Sequence, residues 1–135
     1  MSRERFLERQ SDVRSSAARL AEAVTTRPAS QLVRDATIQR FVFTFEATWK
    51  TLKLWLEHQG HACPSPRATL KCAFDQGLIP DAATADVWLR MLDDQNLTTH
   101  AYDESLAERI HEHIVGAYAK AIESMAGTIA GLRWE

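Results

Sequence analysis

The longest uninterrupted pattern in the chain runs from about Gln31 to Gln59 and repeats at the period of an α-helix. Ile38, Phe41, Phe45, Trp49, Leu52 and Leu56 follow one another at three- or four-residue steps, which places them on one helical face. Glu46, Lys50, Lys53 and Glu57 mark the opposite face, and Glu46 with Lys50 forms an i,i+4 pair in its better orientation. Phe43, Ala47 and Leu54 widen the apolar arc beyond one seam. A helix apolar over so much of its circumference is central to a fold or lies at an oligomer interface.

Four more helical segments flank it, and no strand pattern competes with them. The first spans about Arg3 to Val24, with Phe6, Val13, Ala17, Leu20 and Val24 inward, and ends at Arg27-Pro28 because a residue before proline avoids the helical region. Gly60 is a C-terminal stop for the second. Ser65-Pro66 then reads as an N-cap followed by a proline at the first helical position, opening a short helix from Arg67 to about Gln76 that Gly77 closes. The fourth segment runs from about Asp81 to Leu97, with Val87, Trp88, Met91 and Leu92 inward, and Thr98-Thr99 breaks it through poor helix propensity. Asp103 caps the fifth, which repeats Leu106, Ile110, Ile114, Ala117, Ala121, Met125 and Thr128/Ile129 to about Leu132. Five glycines and four prolines are too few turn residues for a sandwich or barrel. The expected fold is all-α: an antiparallel up-and-down bundle of four long helices plus one short one, forming a single domain over residues 1–135.

The net charge of −2 hides an asymmetry: residues 1–80 carry 12 basic and 8 acidic side chains, residues 81–135 only 4 basic and 10 acidic. A general polyanion binder is a poor match to that balance. No apolar run approaches the ~20 residues of a membrane span, the N-terminus does not read as a secretory signal, and two cysteines without such a signal point to a reducing cytoplasm.

Four sets of residues bear on chemistry. His58, His61, Cys63 and Cys72 have the right types for zinc, but the spacing matches no common motif and a helix end lies inside it. Glu108 and His111 have the i,i+3 spacing of di-iron bundles, yet no second copy exists, and His111 and His113 lie about 200° apart on a helix of ~3.6 residues per turn. No metal and no cofactor is therefore expected. A glycine-rich phosphate loop followed by metal-binding carboxylates is missing, so the chain by itself does not polymerise nucleotides or transfer phosphoryl groups. The fourth set is Asn96, His100 and Tyr102, in the polar break between two long helices, where a histidine can serve as acid or base.

Leu32 to Glu46 and Trp49 to Lys53 resemble the family of nucleotidyltransferase substrate-binding proteins. So do Ser65-Pro66-Arg67 with Ala73-Phe74, and Trp88-Leu89 with Asn96 through Asp103. The resemblance spans nearly the whole chain. It implies a dimeric helical bundle related to HEPN domains that is a non-catalytic substrate-binding or regulatory partner of a minimal nucleotidyltransferase encoded by an adjacent gene. Nucleotide or RNA are further implied ligands. Many HEPN relatives are metal-independent ribonucleases with Arg, a polar residue, three variable residues and His. Asn96 and His100 match that pattern, but Gln95 holds the Arg position, and a neutral amide lacks the charge-assisted fork of a guanidinium. Arg90 is more than one turn upstream. The resemblance thus leaves a ribonuclease toxin of a toxin–antitoxin pair as the alternative. It also implies a role for Tyr102 as acceptor of AMP from the partner transferase.

Overall fold

The computed structural model describes residues 2–135, so Met1 of the expected domain lies outside it. The helices are α1 (Ser2–Thr25), α2 (Gln31–His58), α3 (Pro66–Asp75), α4 (Ala82–Leu97), α5 (Glu104–His113) and α6 (Ala119–Ala130). A single 3₁₀ turn, Thr98–His100, follows α4, and a π-helical turn, Ile114–Tyr118, joins α5 to α6. Backbone angles stay helical at His113, Ile114, Tyr118 and Ala119, so α5, the π turn and α6 form one rod. The described residues thus make five helical rods and no strand.

The boundaries follow local chemistry. Ser30, Ser65, Asp81 and Asp103 each accept a backbone N–H of the first turn, from Val33, Ala68, Thr84 and Leu106, which satisfies donors that a helix start leaves free. The Asp81 carboxyl is held below its ordinary value by that bond from Thr84. Gly60 and Gly77 both take positive φ, at 97° and 81°, as chain reversal after α2 and α3 requires.

The central position expected of α2 is seen: it contacts α1, α3, α4, α5 and α6. Ile38, Phe41, Phe45, Leu52 and Leu56 are buried, and the rings of Phe45 and Trp88 stack with centroids 6.1 Å apart. A second buried stripe escapes the apolar count: Thr37, Thr44, Thr48 and Thr51. Thr37, Thr44 and Thr51 return their hydroxyls to the carbonyls four residues back at 2.6–2.7 Å, so their polar atoms are satisfied inside the core. Thr51 also reaches the Arg9 carbonyl of α1 at 3.4 Å; among the described residues only the Thr48 hydroxyl is buried without a partner.

Two details of the core differ from the periodic reading. Trp49 is half-buried, and its indole N–H donates to Glu46 at 2.9 Å. An indole N–H needs a polar partner, and Glu46 supplies one only at the surface. On the last rod, Ala107, Ile110, Ile114, Tyr118, Ile122, Met125 and Ile129 are buried, whereas Ala117 and Ala121 are half-buried. The expected seam passes through Ala117 and Ala121; the extra residue of the π turn slips it by one position onto Tyr118 and Ile122.

Candidate functional site

The corner after α4 is built by helix ends. Thr98 returns its hydroxyl to the Gln95 carbonyl at 2.7 Å, and Ala101 N–H bonds Thr98 at 3.1 Å, closing the 3₁₀ turn. Asp103 N–H then bonds the His100 carbonyl at 3.0 Å and the Asp103 carboxylate caps α5. This leaves Asn96 in the last turn of α4, His100 in the 3₁₀ turn and Tyr102 just after it, with all three exposed. Tyr102 is 81% exposed, and its ring meets that of His100 edge-on at 6.0 Å. A shallow groove of about 310 Å³ beside them is lined by Asp35, Gln39 and Val42 of α2 and by Thr98, Thr99 and Ala101.

Gln95 faces another way. Its amide donates to Glu46 of α2 at 3.0 Å, and the same carboxylate accepts Trp49 and lies 3.5 Å from Lys50. The structure therefore brings His100 and Tyr102 together and commits Gln95 to α2. Arg90 is exposed on α4.

Two polar clusters near this corner escaped the sequence reading. Arg34 is buried and forks onto Glu104, with bonds of 2.9 and 3.1 Å, while also touching Asp35 at 3.3 Å. Gln31 adds a bond of 3.0 Å to the same Glu104. The fork ties the start of α2 to the start of α5. It raises the pKa of Arg34 and holds the Glu104 carboxyl below its ordinary range. One signal was present: Arg34 lies one turn before Ile38 on the apolar seam. The second cluster joins Asp94 of α4 to His113 and Tyr118 on the last rod, at 2.7 and 2.6 Å. His113 and Tyr118 are five apart in sequence, a spacing no α-helical search pairs.

The other candidates are dispersed. His58 stacks on Trp134 with centroids 3.6 Å apart and bonds the Glu135 carbonyl at 2.9 Å. Cys63 is buried, and burial followed by the neighbouring Cys63 pushes the Cys72 thiol up. Glu108 is exposed, whereas His111 is half-buried and its pKa is lowered by burial, then by the charges of Arg34 and Arg27. Among the described residues no three His, Cys, Asp or Glu side chains converge as a metal site, and no helix is long and apolar enough to cross a membrane.

A search of curated proteins finds no significant match. A crystallised protein from Thermus thermophilus shares 37% identity and superposes with a TM-score of 0.79, covering 87% of this chain and 98% of that one. The mutant toxin–antitoxin pair MntA–HpeT gives a chain with TM-score 0.74 at 16% identity, covering 94% and 98%. The tri-AMPylated HEPN toxin of Shewanella oneidensis, in complex with MNT antitoxin, gives 0.73 at 17%, covering 94% and 97%. At such identities the last two establish a shared fold. Residues 8–130 match the model described as nucleotidyltransferase substrate binding protein like, and the chain belongs to that family.

Proposed function

We propose that the chain is a non-catalytic partner of a minimal nucleotidyltransferase encoded by an adjacent gene, binding that enzyme and presenting or recognising its substrate. The observation that carries this reading is the family match over residues 8–130. In this reading the protein is cytoplasmic, its helices form an antiparallel up-and-down bundle, and two copies pair as a homodimer. Phe43 and Leu97 support pairing, since both are large apolar side chains left exposed, and exposed apolar patches mark interaction surfaces. The working site is the corner of Asn96, His100 and Tyr102, with Tyr102 as the acceptor of AMP. Its hydroxyl is open to an approaching enzyme, and the HEPN toxin of Shewanella oneidensis was crystallised tri-AMPylated with its antitoxin.

Co-expression with the adjacent transferase, followed by pull-down and intact-mass measurement, tests both parts. A stable complex and an AMP-sized mass increase lost in Tyr102→Phe are expected. Failure to form a complex removes the partner reading; a complex holding only unmodified chain removes the role of Tyr102.

A ribonuclease toxin is the second reading, favoured by the fold shared with toxins of toxin–antitoxin pairs. The Gln95–Glu46 bond weighs against it, because the position that needs a free cation carries an amide already bound to a carboxylate. Robust RNA cleavage by the purified chain, abolished in His100→Ala, would reverse the order of the two.

A further inference from the structure

Between α1 and α2 lies a groove of about 380 Å³ whose charges the fold does not balance. Arg5 and Arg9 line it from α1, Lys50 and Lys53 from α2, and Glu57 is the one carboxylate in its wall. Arg5 and Arg9 are four residues apart and Lys50 and Lys53 three, spacings at which like charges on a helix repel. The two lysines have partners. Lys53 donates to Glu57 at 2.8 Å and to the Cys63 carbonyl at 2.6 Å, and Lys50 lies 3.5 Å from Glu46. The two arginines have none: among the described residues neither guanidinium makes a hydrogen bond or ion pair, although Arg9 is half-buried. Drawing a cation out of water without a partner is unfavourable, and apolar packing of α1 on α2 does not require one there.

The same groove offers apolar surface. Trp49 and Leu54 line it, and both are half-buried. The indole N–H is taken by Glu46 at 2.9 Å, so carbon surface is what Trp49 has left to offer. Thr51 reaches the Arg9 carbonyl at 3.4 Å, which fixes α1 against α2 at the level of the groove. Its α2 residues run from Trp49 to Glu57, roughly 12 Å at ~1.5 Å per residue, so an opposing helix would meet it over about two turns.

These features select the occupant. Unpaired guanidiniums call for carboxylates, onto which they fork. Trp49 and Leu54 call for an apolar stripe on the same occupant, and a groove between two helices takes a helix that lays such a stripe into it. A polynucleotide fits less well. Glu57, with Glu46 beside Lys50, would face its phosphates, and residues 81–135 carry 10 acidic side chains against 4 basic. A protein segment can set a cation of its own against those carboxylates, whereas a phosphodiester chain is negative throughout.

We propose that the groove between α1 and α2 docks an acidic amphipathic helix of a partner protein, with carboxylates on Arg5 and Arg9 and an apolar side chain against Trp49 and Leu54. It shares no residue with the corner of Asn96, His100 and Tyr102, and it does not depend on the AMP-acceptor role of Tyr102.

The test follows the purified full chain by amide NMR and fluorescence anisotropy with three labelled probes: a helical peptide of Leu and Glu, the same peptide with Lys for Glu, and single-stranded RNA. The Leu–Glu peptide should bind saturably, less tightly as salt rises, and should shift amides of residues 5–9 and 49–57. The Leu–Lys peptide should leave those amides unmoved. Arg5→Gln/Arg9→Gln should weaken the Leu–Glu peptide by about tenfold or more, the scale of a lost charge-assisted bond, at unchanged melting temperature, since neither guanidinium is bonded within the chain. Leu54→Gln should weaken it as well, which diffuse attraction between opposite charges would not produce. No saturable binding of the Leu–Glu peptide, equal binding of the Leu–Lys peptide, binding undiminished in either variant, or RNA held more tightly than peptide at these amides would each overturn the proposal.

Discussion

The amide of Gln95 is bonded to Glu46, and that bond sets what a charge placed there would meet. An arginine at 95 would pair with the same carboxylate, which is already shared with Trp49 and Lys50. We therefore expect Gln95→Arg alone to leave RNA cleavage weak. Gln95→Arg/Glu46→Gln frees the guanidinium and should raise cleavage, and adding His100→Ala should abolish the gain. The size to look for is on the order of 10²–10³ in rate, that of one well-placed electrostatic stabiliser, measured on a labelled RNA. His111 makes a different prediction. Burial and the charges of Arg34 and Arg27 lower its pKa below the ordinary 6.5, so the folded state disfavours the imidazolium. Its contribution to stability is present above about pH 6.5 and is lost as pH falls through the lowered folded value. A melting curve that drops across that window, and drops less in His111→Gln, is the expected result.

Whole helices are joined by polar clasps as well as by apolar seams. The Arg34–Glu104 fork links the first turns of α2 and α5. Arg34→Met should cost about 1.5–3 kcal/mol in denaturant unfolding, the range for hydrogen bonds to charged groups, and Glu104→Gln less, because its amide oxygen still accepts one bond. The Asp94 clasp joins α4 to the last rod across the π turn. Burial first, then the bond to Asp94, push the Tyr118 hydroxyl well above its ordinary phenol value, so it remains a donor at any pH the fold tolerates. Tyr118→Phe should therefore destabilise by about 1–3 kcal/mol through a buried acceptor left short of one partner.

The core of the molecule lies around α2, and the two aromatics on its seam are not equivalent. Phe45 is fully buried against Trp88, whereas Trp49 is half-buried at the surface with Glu46. Phe45→Ala should cost about 3–5 kcal/mol, and Trp49→Ala clearly less; urea midpoints of the two variants check the order. Assembly belongs to this scale too. A two-fold dimer, the commonest closed assembly, should appear in sedimentation of the chain alone, and Phe43→Asp together with Leu97→Asp should shift it to monomer without lowering the melting temperature. A wild-type chain that sediments only as monomer at micromolar concentration would count against pairing.

Helical class, the number of rods and most of their ends were legible in the residues themselves. They depend on local chemistry: the 3.6-residue period of α2, the caps at Ser65 and Asp103, the positive-φ glycines 60 and 77. The corner of Asn96, His100 and Tyr102 was legible as well, because a break between two periodic segments is a local event. Three features were decided only by packing. Trp49 left the core because its N–H required a polar partner, and Glu46 stands at the surface. The burial seam runs through Tyr118 and Ile122 rather than Ala117 and Ala121, at the π turn where Tyr118 reaches Asp94 on another helix. Arg34 could be buried because Glu104, seventy residues away, supplies the opposite charge. Each of these depends on a partner distant in sequence, and periodicity along one helix carries no information about the side chain that another helix presents to it.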